Sequence, residues 1–157
     1  MRTFSIILAD DEQNILYGMK KGINWEELGF IVAGTAQNGK EVLEMMDDLH
    51  PDLVISDIKM PFMDGLELAK TIHDNYMNTK VILFSGWDDF EYARNAIKVK
   101  ALDYLLKPCD INDLLAVMDM AIQKLDKEKE EKVLGQFIIS ADNKYNEANS
   151  YNNSNKY

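Results

Sequence analysis

The stretch TFSIILADDE, Thr3–Glu12, sets the aliphatic residues Ile6, Ile7 and Leu8 almost directly against the carboxylates Asp10, Asp11 and Glu12. So short a near-continuous apolar run reads as a strand buried on both faces, as in a parallel sheet covered by helices. The acids that end it pose a second requirement. Like charges at the mouth of an apolar strand cost free energy through desolvation and mutual repulsion unless a cation shares the site.

Four further runs have the same character: Phe30–Ala36, Leu53–Ser56, Val81–Ser85 and Asp103–Leu106. Helical periodicity fills the gaps. Asn38 and Glu41 form an N-cap with its reciprocal acid ahead of Val42, Met46 and Leu49. Asp88 and Glu91 repeat the device ahead of Phe90, Ala93 and Ile97. Asp110 opens a last helix in which Ile111, Leu115, Met118, Ile122 and Leu125 recur at alternating spacings of four and three. Strands alternating with helices give a (βα)5 doubly wound α/β fold with right-handed crossovers. In such folds ligands bind beyond the carboxyl ends of the strands, where strand order reverses.

At 157 residues, 46% hydrophobic and 28% charged, the chain has the make-up of one globular domain with a tail. The boundary falls near residue 127. Residues 128–157 begin within the mixed-charge KEKEEK of 127–132, where Lys129 and Lys132 break the apolar stripe, so this segment reads as a solvated helix end. From about Ser140 the Asn-rich sequence lacks apolar periodicity and reads as disordered. A formal charge of −10 repels nucleic-acid phosphates and anionic lipids, which argues against direct binding to either. Cys109 is the single cysteine, so no intrachain disulfide can form. No stretch approaches the ~20 apolar residues of a membrane span, and the cytoplasm is the expected location.

The strand ends carry the chemistry. The first strand ends in Asp10 and Asp11, the third in Asp57 and the fourth in Ser85, while the fifth runs through Tyr104 into Lys107-Pro108. The fold would gather these along one edge of the sheet. Clustered carboxylates with no His or Cys beside them are hard oxygen ligands suited to Mg²⁺, and the spaced D-x-D-x-D-G loop of an EF-hand is absent. A carboxylate beside Mg²⁺ can attack phosphorus, and Lys107 and Ser85 are the kinds of group that phosphoryl oxygens then need.

From Arg2 to about Lys127 the sequence resembles the receiver domains of two-component response regulators, a CheY-like, flavodoxin-like fold of strand order 2-1-3-4-5. The matching motifs are LADDE, PDLVISDIKMPFMDGLEL, VILFSGWDD and DYLLKP. GINWEELGF and SGWDDFEYARNAIKVKALDYLLKP further resemble receivers that precede AraC-type DNA-binding domains. The resemblance implies that Asp57 accepts a phosphoryl group from a sensor histidine kinase. Asp11, Asp57 and the backbone carbonyl of Lys59 would bind Mg²⁺ directly, with Asp10 holding a metal-bound water. Lys107 and Ser85 would contact the phosphoryl oxygens, and Tyr104 would turn inward as Ser85 moves. A cis Lys107-Pro108 bond belongs to the same pattern. The surface of the fourth helix, fifth strand and fifth helix would report the change, in part as a homodimer contact, and control an output such as transcription.

That DNA-binding output is absent from this chain, so the domain is expected to serve a longer regulator or to act alone through protein contacts. Turnover as an enzyme is not expected. Asp57 is followed by Ile58 and Lys59, without the second carboxylate two positions on that an aspartate phosphatase uses as acid, leaving only slow self-dephosphorylation. A flavin module of similar fold is disfavoured because three acids would meet the flavin phosphate poorly. Cys109, His50 and His73 read as structural or surface residues. Trp87, near Ser85, is the aromatic singled out for partner contact.

Overall fold

The computed structural model describes residues 2–86 and 90–154. The chain divides into two compact units, Met1–Ile122 and Gln123–Tyr157. In the first, strands and helices alternate from β1 (Phe4–Ala9), α1 (Gln13–Gly22), β2 (Phe30–Ala36), α2 (Gly39–Leu49) and β3 (Leu53–Asp57) through α3 (Gly65–Asn75), β4 (Lys80–Ser85), α4 (Phe90–Lys98) and β5 (Asp103–Leu106). The last helix, α5, spans Ile111–Ser154 and so enters both units. The five strands form one parallel sheet in the order β2-β1-β3-β4-β5, and chain order reverses between β1 and β3.

Burial differs between the centre and the edges of the sheet. The central strands β1, β3 and β4 are almost wholly buried. The edge strands are not buried on both faces as their sequences suggest: β2 alternates, with Ile31 54% exposed, and Leu106 of β5 is 47% exposed. An edge strand has a neighbour on one side only, and apolarity alone does not reveal that position. On one face, Ile7, Val54, Val81 and Leu83 pack with Val42 and Met46 of α2, Leu68 and Ile72 of α3 and Ala96 of α4. Truncating such a buried side chain costs roughly 2–5 kcal/mol.

The helix starts follow their side chains. Asn38 accepts a bond from the Glu41 amide (2.9 Å), but the returning Glu41 carboxylate takes the Gln37 amide (2.8 Å), one residue before the cap. Asp64 caps α3 through the Glu67 amide (2.8 Å), and Asp110 accepts from the Asn112 amide (2.9 Å) at the start of α5. The Asp88 cap expected for α4 lies outside the described residues. Between α1 and β2, the Trp25 indole donates to the Met19 carbonyl (3.0 Å) and meets Phe30 edge-on. Gly29, at φ +88°, turns the chain into β2 there. That pin explains the sequence GINWEELGF.

In the second unit the helix continues to Ser154, so the expectation of a segment without regular structure from Ser140 does not match the structure. Among these residues no proline interrupts the backbone bonds, and composition alone does not locate a helix end. Val133, Leu134, Phe137, Ile138 and Ile139 are exposed on it. No helix among the described residues is long and apolar enough to cross a membrane.

Candidate functional site: an acidic cluster with one lysine

Strand register assembles the site. Ala9 pairs with Ser56, Asp57 with Phe84, and Ser85 with Leu106, so Asp10, Asp57, Ser85 and Lys107 reach the same carboxyl edge of the sheet. Carboxylate oxygens of Asp10, Asp11 and Asp57 all lie within 4.8 Å of one another. Residues 97 positions apart are thereby joined: the Lys107 ammonium donates to Asp10 at 2.6 Å and stands 3.4 Å from Asp57.

Each acid is held differently. Asp10 is buried, with one oxygen on Lys107 and the other accepting the Glu12 amide (2.9 Å), so it also fixes the entry to α1. Asp11 is exposed beside it. Asp57 accepts the Ile58 amide (3.0 Å), and the same amide reaches the Phe84 carbonyl, tying β3 to β4. Burial pushes the Asp57 carboxyl up, Lys107 pulls it down and the Asp10 charge pushes it up again, leaving it at about 6 against the usual 3.8. Burial works against the Lys107 ammonium, but its bond to Asp10 and the charges of Asp57 and Asp10 outweigh that, so its pKa is raised. Lys107 thus serves two anions, Asp10 and Asp57, and the three clustered carboxylates outnumber it.

The loop after Asp57 is tightly built. The Gly65 amide donates to the Ile58 carbonyl (2.8 Å), and a Cβ at Gly65 would collide with the Asp57 carbonyl oxygen. Only glycine allows α3 to begin so close to the strand end. An open cleft of about 430 Å³ borders the cluster, lined by Asp11, Ile58, Lys59, Met60, Pro61 and Asp64. Lys59 is exposed on its rim. Asp64, whose D-x-x-E spacing to Glu67 was legible, is the cleft residue that the sequence reading passed over.

Ser85 is buried at the end of β4, where its carbonyl accepts the Lys107 amide (2.7 Å). Tyr104 is half-buried in β5 and packs against the α2–α4 core. Lys107-Pro108 is cis. Cys109 is partly buried, and its thiol is pushed up by burial and by Asp113 and Asp110. Trp87 lies outside the described residues.

A doubly wound α/β domain with three carboxylates and a lysine at its switch point carries its charged groups where such folds bind their ligands. The response regulator receiver domain model matches residues 6–119, and the chain belongs to that family. It is therefore a receiver domain of a two-component system, and receiver domains are regulatory switches rather than enzymes. It is 42% identical over 125 residues to the uncharacterized transcriptional regulatory protein YesN of Bacillus subtilis, covering 80% of this chain and 34% of that protein. It is 37% identical over 122 residues to the transcriptional regulatory protein HptR of Staphylococcus aureus, covering 78% and 48%. The chain spans about a third to a half of these curated relatives. The receiver domain of AraT, a response regulator from Geobacillus stearothermophilus, superposes with a TM-score of 0.75 at 36% identity, covering 81% of this chain and 98% of that one. A two-component transcriptional regulator AraC from Clostridium phytofermentans gives 0.73 at 31%, covering 81% and 98%.

Proposed function

We propose that Asp57 is the phospho-acceptor and that a sensor histidine kinase is the donor. The observation that carries this reading is the meeting of Asp57, Asp10, Asp11 and Lys107 at one strand edge, with Lys107 3.4 Å from Asp57. An all-carboxylate donor set with surplus negative charge fits a hard divalent cation, and Asp10, Asp11, Asp57 and the Lys59 carbonyl would hold Mg²⁺. When bound, Mg²⁺ offsets charge on the phosphoryl oxygens.

The chain's own groups supply the rest. An Asp57 oxygen forms the O–P bond as the N–P bond of a phosphoimidazole breaks and its electron pair returns to the ring. Lys107 donates to one phosphoryl oxygen and the Ser85 hydroxyl to another, so the main contribution is positioning and charge. Ser85 then moves toward the phosphoryl group and Tyr104 turns inward, selecting a conformation already accessible to the domain. The readout is the face of α4, β5 and the start of α5, where Ile97, Leu106, Ile111 and Leu115 are exposed and available to a second copy. By analogy with the transcriptional regulatory proteins YesN and HptR the output is transcription, and the likeness to a two-component transcriptional regulator AraC supports an AraC-type DNA-binding domain in a longer, cytoplasmic regulator.

Intact mass after incubation with phosphoramidate tests the acceptor. Wild type gains one phosphoryl group with Mg²⁺ and none with a chelator, and Asp57→Ala gains none with either. Equal labelling of Asp57→Ala contradicts the assignment.

A further inference from the structure

Among the described residues of the first unit Phe62 is the most exposed large apolar one, at 88%, and it lies five positions after Asp57. Its backbone is also unusual. At φ +65° it occupies the left-handed region that side chains other than Gly, Asn and Asp rarely adopt. The Met63 amide donates across it to the Pro61 carbonyl at 2.7 Å, closing a three-residue turn of the strained γ type.

This turn is held from both sides. The Met63 carbonyl accepts the Gly39 amide of α2 (2.9 Å), and Gly39 has no room for a Cβ against Met63. Beyond it, Asp64 caps α3 and Gly65 is bonded back to Ile58. The ring thus projects from a rigid tip on the rim of the cleft beside Asp57. A residue that strains the backbone and leaves its ring in water contributes little to the fold, and such outliers point to function.

The cleft itself is lined by Asp11, Ile58, Lys59, Met60, Pro61 and Asp64, without Phe62. A ligand small enough to sit within it would therefore not need the ring. What would cover Phe62 is a body larger than the cleft that must still approach Asp57.

We infer that Phe62 is a recognition residue for the phosphodonor protein, inserting its ring into an apolar pocket beside the donor's phosphohistidine. This rests on the reading of Asp57 as acceptor. A rigid aromatic anchor contributes affinity because little ordering remains to be done on binding.

Phe62→Gly separates the two roles, because glycine relaxes the left-handed turn and removes only the ring. Phosphorylation would be followed with phosphoramidate, and with the autophosphorylated cytoplasmic fragment of whichever sensor kinase in a panel labels wild type fastest. The variant is expected to melt at or above the wild-type temperature and to react with phosphoramidate within twofold of wild type. Its kcat/KM with the kinase fragment should fall at least tenfold, mainly through KM, and Phe62→Leu should recover part of the loss. An unchanged kinase rate overturns the inference, as does an equal loss with both donors. If phosphoramidate labels wild type but no kinase fragment does, the protein donor is wrong and the inference falls with it. Failure of wild type with phosphoramidate strikes the Asp57 reading instead.

Discussion

The two ends of the sheet are built on opposite principles. At the amino edge, polar groups close on one another: Asp52 accepts from the amide (2.9 Å) and hydroxyl (3.4 Å) of Ser5, its own amide donates to the Ser5 carbonyl (3.0 Å), and Thr79 donates to the Pro51 carbonyl (2.6 Å). At the carboxyl edge, Asp10 and Asp57 share Lys107 with Asp11 close beside them, and Asp57 sits at about 6 because burial and a neighbouring anion are only partly compensated. One edge spends its polarity on holding strands together, whereas the other leaves its carboxylate charge only partly compensated. Activity and stability should therefore separate between them.

Gly65→Ala should strike hardest. Its Cβ would press on the Asp57 backbone, so we expect a loss of about 3 kcal/mol or more in urea unfolding, with phosphorylation abolished. Lys107→Ala comes next. It strips the buried Asp10 of its counter-ion and should cost ~2 kcal/mol without metal, while the domain still folds and its fluorescence response to beryllofluoride is blunted. An intact response would remove Lys107 from the switch. Asp52→Ala at the opposite edge should cost ~1–2 kcal/mol and leave the phosphorylation rate unchanged. A slowed reaction there would blur the division between the edges.

The smallest effect is one of pH. Because the folded pKa of Asp57 is raised from 3.8 to about 6, the metal-free native state keeps a proton that the unfolded chain has released, and stability falls as pH rises through that window. Asp57→Asn lacks this loss. Without metal it should gain on wild type from pH 4.5 to 7.5, reaching on the order of 1 kcal/mol. A constant difference across that range would show that Asp57 is not strained by its surroundings.

Much of this was legible in the sequence because it is local. Apolar runs mark the strands to within a residue, and the acids, the serine and the lysine that end them identify the edge where they meet. What escaped is set by three-dimensional neighbours. The alternation of β2 follows from its place at the sheet edge, and while Gly65 reads from the sequence as a backbone device of the loop after Asp57, the close approach that demands it is visible only in three dimensions. The left-handed turn at Phe62 is imposed by bonds from α2 and α3. The helix through Ser154 escaped for another reason, since an Asn-rich sequence offers neither a stripe nor a stop signal.

The central claim is that the carboxyl edge brings a phosphoryl group to Asp57 and to no other acid. Borohydride reduction after phosphoramidate and Mg²⁺ treatment converts an aspartyl phosphate to homoserine, and peptide mass mapping locates it. Homoserine at position 57 alone is the expected result. Homoserine at position 10 or 11, or a labelled protein with none at 57, would contradict it.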